Sequence, residues 1–240
     1  MSGNSRSDIV EGLKASIPVV LSSAPFGMLF GALAVKNGFT PFEAIFMSAT
    51  VFAGASQMVG LELFGTKVAP WLIVLSIFAV NFRHVLYSAA VGGMFRPWGA
   101  LRAGIAFFLL VDPQFAETER RRETGLPVTW RWYIAMGIPV YLLWLINTAI
   151  GASFGNLIGD PHALGLDFVL PAYFLIMVMG FRKRKSFFPV VLVSGVAAIL
   201  AERFVGSPWH VSIGALAGVA MAMAMPVGPD ETNPPPGASE

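Results

Sequence analysis

Apolar residues gather into eight long stretches, at about 13–35, 42–64, 70–94, 101–118, 131–158, 167–181, 186–205 and 209–226, divided by short polar runs. A helix needs roughly twenty apolar residues to cross a hydrocarbon core of about 30 Å, and most of these stretches are that long. The pattern therefore predicts an all-α polytopic integral membrane helix bundle of about seven to eight segments. The fourth and sixth are short enough to be tilted, broken or re-entrant, which leaves six to eight full crossings open. Residues 1–12 precede the first stretch and 13–226 read as one transmembrane domain. The tail, 227–240, is polar and proline-rich and is expected to be disordered. The amino terminus carries Asp8 and Glu11 and lacks the basic start and cleavage site of a signal peptide, so the first stretch is expected to stay in the protein.

Composition supports the same class. Hydrophobic residues make up 55% of the chain and charged ones 12%, about half the charge density of a soluble domain. Mean hydropathy is +0.68. The net charge of +2 is spread by topology and forms no nucleic-acid patch. With no cysteine there is no disulfide, thiolate metal site or cysteine nucleophile, and no metal or other cofactor is expected. An alternating topology places Arg6, Lys14, Lys67, Arg120, Arg121, Arg122, Arg131, Arg182, Lys183, Arg184 and Lys185 on one side. It leaves Lys36, Arg96, Arg102 and Arg203 on the other. Basic residues favour the cytoplasm, so both termini are expected there.

The polar residues inside the apolar stretches carry the candidate chemistry. At the centre of the third lies Asn81-Phe82-Arg83-His84-Val85-Leu86-Tyr87. A guanidinium at that depth costs about 3 kcal/mol or more unless it is paired or wetted. It marks either a substrate or ion pathway or a polar knot that fixes helix packing. Segment two holds Phe52-Ala53-Gly54-Ala55-Ser56-Gln57 at its middle, the small and polar residues expected where a helix unwinds or where two helices touch. Segment one carries Pro18 and Pro25-Phe26-Gly27, which predict an interrupted or kinked helix. Secondary transporters hold substrate at the midplane between such broken helices. Pro25, Phe26, Gly27, Gly54, Ser56, Gln57 and Asn81 are accordingly the candidate substrate-binding residues.

Arg83 is permanently charged and cannot switch a proton, whereas the His84 imidazole titrates near neutrality. In segment four, Asp112 is either an intramembrane counter-charge or proton carrier or an interfacial carboxylate before a loop. Arg83, His84 and Asp112 are thus the candidate charge and coupling residues. Ile138-Pro139-Val140 faintly echoes Ile17-Pro18-Val19, a hint of an internal repeat. Trp130, Trp132 and Trp209 read as belt residues, and His162 and His210 as interfacial.

Together, Pro25-Phe26-Gly27, Phe52-Ala53-Gly54-Ala55-Ser56-Gln57 and Asn81-x-Arg83-His84-x-Leu86-Tyr87 resemble the AzlC family of branched-chain amino-acid transport proteins. The likeness runs from about 12 to 225 and is strongest up to Asp112. It implies a transporter rather than an enzyme, exporting branched-chain amino acids across the bacterial inner membrane and driven by an ion gradient. It also implies a small hydrophobic partner subunit of the AzlD type. The chain departs from the family pattern at Gly54-Ala55-Ser56-Gln57-Met58, where Gly-Ser-Ala-Gln-Phe is commoner, and at Pro113, where a glutamate usually follows Asp112. Two other functions fit some of the same residues. One is a scaffold subunit that does not transport, whose polar residues are packing devices. The other is an intramembrane serine protease using Ser56 and His84.

Overall fold

The computed structural model describes residues 5–64, 70–154, 168, 172, 175, 178–179, 181–182, 184–206 and 209–225. Among them are α1 (Ser5–Lys36), α2 (Pro41–Thr50), α3 (Gly54–Phe64), α4 (Pro70–Phe95), α5 (Ala100–Phe108), α6 (Asp112–Glu123), α7 (Trp130–Phe154), α8 (Phe187–Phe204) and α9 (Trp209–Ala224). The described residues form no strand. Long enough and apolar enough to cross a membrane are Arg6–Lys36, Ile73–Trp98, Trp130–Phe154 and Phe187–Phe204, with Ile213–Ala224 shorter. The chain is an all-helical membrane bundle. Most of the sixth stretch, His162, Lys67, Lys183 and the tail lie outside the described residues.

The bundle is built on α1 and α7, which run parallel with almost no side-chain layer between them. A Cβ on Gly12 would lie 2.5 Å from the Trp132 carbonyl oxygen, and one on Gly27 3.0 Å from Asn147 Cβ. Cβ atoms on Gly31 and Gly151 would overlap the carbonyls of Thr148 and Met28. Small residues let backbones meet, which supplies the dispersion contact that lipid cannot withhold. Pro18 and Pro25 do not interrupt α1, which removes the broken-helix alternative of the sequence reading. The helix continues through both, and nearby Ser16, Ser22 and Ser23 hydroxyls donate to the carbonyls of Leu13, Val19 and Val20. Pro18 and Pro139 sit at nearly the same level of these two parallel helices, so the faint sequence echo falls on side-by-side neighbours.

Segments two and four do not cross. Each is a helical hairpin that enters half-way and returns. In the first, α2 descends from the Lys36 end of α1, the chain turns at Val51–Ala53, and α3 climbs back until Phe64 lies 5.4 Å from Phe39. In the second, α5 rises from the Trp130 end of α7, turns at Leu109–Val111, and α6 returns to place Arg121 against Glu11 at 2.9 Å. Arms of nine to twelve residues span about 14–18 Å, half a bilayer each. Arg96 and Arg102 therefore lie at the amino-terminal end with Arg120, Arg121, Arg122 and Arg131, not opposite them. Arg102 stands 5.8 Å from the Trp130 ring. Trp132 is no belt residue; it is 2% exposed, with the Arg121 guanidinium 4.8 Å over its ring.

An inverted pattern follows. A full helix plus a hairpin entering from one end (α1, α2, α3) is succeeded by a full helix of opposite direction plus a hairpin from the other end (α4, α5, α6). Gly54 and Asp112, the first residues of α3 and α6, stand 58 positions apart, as do the two turns. Inverted repeats of this sort are common among transporters. Beyond α7, α8 and α9 pack antiparallel through Gly214 and Gly218 on Ala198 and Ser194.

Re-entry is directly testable because the chain has no native cysteine. With single cysteines at the exposed positions Asn37, Arg96 and Thr124, an impermeant maleimide should label Arg96→Cys and Thr124→Cys from one membrane face and Asn37→Cys from the other. Labelling of Arg96→Cys and Thr124→Cys from opposite faces would mean that segment four crosses.

Candidate functional site

Both hairpin tips arrive at the middle of the bundle and touch, with the Phe52 and Phe108 rings 6.2 Å apart. A turn there frees backbone carbonyls that no water can reach. Two tyrosines of α7 receive them: Tyr141 donates to the Ala49 carbonyl at 3.0 Å and Tyr133 to the Ala106 carbonyl at 2.8 Å. The two carbonyls lie just before the turn in each hairpin, within one residue of the same register. Gln114 Nε2 in turn donates to the Tyr133 carbonyl at 3.0 Å.

Two cavities flank the tips. One, of about 40 Å³, is lined by Phe26, Phe52, Gly54, Ala55, Asp112 and Trp144 among others. The other, of about 270 Å³ and more open, is lined by Thr50, Val51, Asn81, His84, Phe107 and Phe108 among others. Phe52 and Val111 belong to both walls. The small cavity lies at the amino-terminal ends of α3 and α6, where unpaired N–H groups carry partial positive charge. The larger lies at the carboxy-terminal ends of α2 and α5, where the partial charge is negative.

The two amino-terminal ends differ in chemistry. That of α3 begins with Gly54-Ala55 and offers bare N–H groups. That of α6 begins with the Asp112 carboxylate, followed by Pro113, which has no N–H. An anion is favoured at the first and disfavoured at the second. Asp112 is held by α4: Arg83 Nη1 lies 3.1 Å from its Oδ1 and the Tyr87 hydroxyl donates to the same oxygen at 2.8 Å. Tyr87 is fixed by stacking on Phe115 at 4.3 Å, and the His84 ring meets its edge at 5.6 Å. The counter-charge for Arg83 is thus the carboxylate that the sequence nominated.

The sequence candidates divide between walls and braces. Phe26, Gly54 and Asp112 line the small cavity, while Asn81 and His84 line the larger. Ser56 is buried and donates to Asn81 Oδ1 at 2.5 Å, tying α3 to α4. Gln57, fully buried, donates to Ser48 at 3.0 Å, and Ser48 pairs with Thr148 at 2.9 Å, tying α3 to α2 and α7. Neither side chain is on a cavity wall. Gly27 packs on Asn147 and Trp144, and Pro25 is exposed on the flank of α1. Missed by the sequence reading were Phe52 as a shared wall, Tyr133, Tyr141 and Trp144. For the two tyrosines and Trp144 the signal was a polar tip on an aromatic ring within an apolar stretch, whereas Phe52 carried none. Among the described residues no group of histidines and carboxylates is arranged to hold a metal.

The sequence profile of a family described as AzlC protein matches residues 18–158, more than half of the chain. The chain is 31% identical to the inner membrane protein YgaZ of Escherichia coli over 182 residues, 74% of each chain. It is 31% identical to an uncharacterized membrane protein of Archaeoglobus fulgidus over 194 residues, 80% of this chain and 83% of that one. A shorter match, 32% over 98 residues, covers 39% of this chain and 22% of the amino acid transporter AVT3C of Arabidopsis thaliana. No solved structure matches the chain.

The Arg83–Asp112 pair yields a stability prediction, since both side chains are less than one fifth exposed. Arg83→Met or Asp112→Leu alone strands a charge and should cost about 3–5 kcal/mol. The double variant should recover most of that loss in detergent thermal unfolding. Losses that simply add would show that the two groups are not coupled.

Proposed function

The chain belongs to the AzlC family, and we propose that it is a secondary transporter that exports branched-chain amino acids. The observation that carries this reading is the pair of opposed hairpin tips, which gives one central cavity a positive pole at Gly54 and a negative one at Asp112 between apolar walls. A small zwitterion with an apolar side chain matches that polarity. Its carboxylate goes to the α3 end. Phe26 and Phe52 meet its side chain, and Ser56, Gln57 and Asn81 hold the frame that presents these groups. At about 40 Å³ the cavity has room for a few waters, so a bound amino acid requires Phe52 to yield toward the larger void. The distant amino acid transporter match points to the same substrate class.

Direction, ion and partner complete the proposal. His84 and Asp112 carry the coupling proton, while Arg83, whose charge is permanent, sets the fields of both. The basic amino-terminal end faces the cytoplasm of a bacterial inner membrane. A small AzlD-type subunit covers part of the lipid-facing surface and is needed for flux. A scaffold role predicts unchanged flux in site variants. A serine protease would need Ser56 to meet His84, but its hydroxyl is given to Asn81.

Expressed with its small partner in a strain lacking its own exporters, the chain should lower intracellular valine, leucine or isoleucine during dipeptide feeding, and either gene alone should do so less well. Unchanged pools with both proteins verified in the membrane would reject export. In liposomes with the partner, His84→Ala and Asp112→Asn should both ignore an imposed pH gradient, the first with exchange of labelled substrate intact and the second with exchange weakened by loss of the negative pole. Should both follow the gradient as the parent does, neither residue carries the proton.

A further inference from the structure

The indole N–H of Trp144 has no acceptor among the described residues, although Trp144 is only 7% exposed. Buried indole groups ordinarily find a partner, and leaving one unmet is destabilising. The ring is held firmly enough that this is not for want of position. Phe26 lies tilted on it at 5.5 Å, and its Cε3 edge abuts Gly27. Its opposite edge abuts Gly54, where a Cβ would lie 2.8 Å from Cη2 and 3.2 Å from Cζ2. Nε1 adjoins that second edge through Cε2, so the unmet N–H is on the Gly54 side. Trp144, Gly54 and Ala55 all line the small cavity.

The first residues of α3 have N–H groups with no acceptor inside the helix. Among the described residues, the Gln57 N–H is the first of this helix to find a backbone acceptor, the Ala53 carbonyl at 3.0 Å. A carboxylate, with four lone-pair positions on two oxygens, is the acceptor that such a set of donors lacks. Resting on the transport reading above, we propose that Trp144 is a substrate-binding residue: its indole N–H and the first turn of α3 form one receptor for the carboxylate of a small apolar amino acid. Gly54 is a glycine because a Cβ there would lie 2.7 Å from Phe26 Cε1 and 2.8 Å from Trp144 Cη2, and so would push the indole away from the helix end. Asp112, across the same cavity, opposes a second anion and leaves that wall for the ammonium group. The contact with Phe26 sets the angle of the indole.

The test uses the full chain with its partner in nanodiscs, 15N-labelled at tryptophan, with the Trp144 indole resonance assigned by its loss in Trp144→Phe. L-valine and 3-methylbutanoate, which both carry a carboxylate, should each shift that resonance, and valinol should not. Flux measurements should show the KM for valine raised about tenfold in Trp144→Phe, which keeps a smaller aromatic ring and removes the donor, with kcat nearly unchanged. If 3-methylbutanoate shifts the signal while valine is neither bound nor moved, the receptor stands and the amino-acid reading falls. If valine is transported while the Trp144 resonance stays in place, or if valinol shifts it equally, the receptor is overturned and the transport reading survives. No shift with either carboxylate also overturns it.

Discussion

A peptide group in hydrocarbon has no water to bond, and each one left unmet costs more than a typical net hydrogen bond returns. Two chain reversals at the centre of this bundle run against that constraint, and the structure around them answers it. The carbonyls released before each turn are taken by the hydroxyls of Tyr141 and Tyr133. Because both tyrosines are on α7, that helix must be immobile relative to its support. The glycine contacts with α1 supply the support. The hairpins can stop half-way only because a rigid post with two donors at suitable heights stands beside them.

Charge is arranged on the same plan. The tips point two helix amino-terminal ends at one another, which would concentrate positive potential if nothing offset it. Asp112 offsets one end and is itself held by Arg83 and Tyr87. The inverted halves therefore agree in backbone and differ in electrostatics. At the amino-terminal end of the bundle, Arg121 bridges Asp8 and Glu11 of α1, and Arg184 reaches Glu119 and Glu123 of α6. There α6 leaves its apolar surroundings and is anchored by ions instead.

The class of fold was legible because apolar length is set by bilayer thickness. Re-entry was not, since two half-length arms joined by a short turn contain as many apolar residues as one full crossing. The first turn announced itself at Phe52-Ala53-Gly54. The second, Leu109-Leu110-Val111, is wholly apolar, and only Asp112-Pro113 beyond it marks a helix start. In α1 the prolines suggested an interruption that is absent, because a helix packed along its length on a neighbour tolerates proline. The misplacement of Arg96 and Arg102 followed from counting a crossing that is a hairpin. Arg83 and Asp112 were legible as partners since a buried charge needs one nearby. Trp144 was not, because the sequence shows a tryptophan in an apolar run and only the structure shows an indole N–H with nothing to bond.

The glycine contacts between α1 and α7 also decide what can move. Helices separated by a layer of side chains slide past one another by small rotamer adjustments. Where carbonyls rest against glycine Cα atoms, as at Gly31 and Gly151, that bearing surface is missing and the two helices turn as one body. In mechanical terms they form a stator. The hairpins meet it instead through side chains, apolar ones such as Phe52, Leu61 and Leu110 together with hydroxyl and amide contacts, so the surfaces that allow relative motion lie between hairpin and stator.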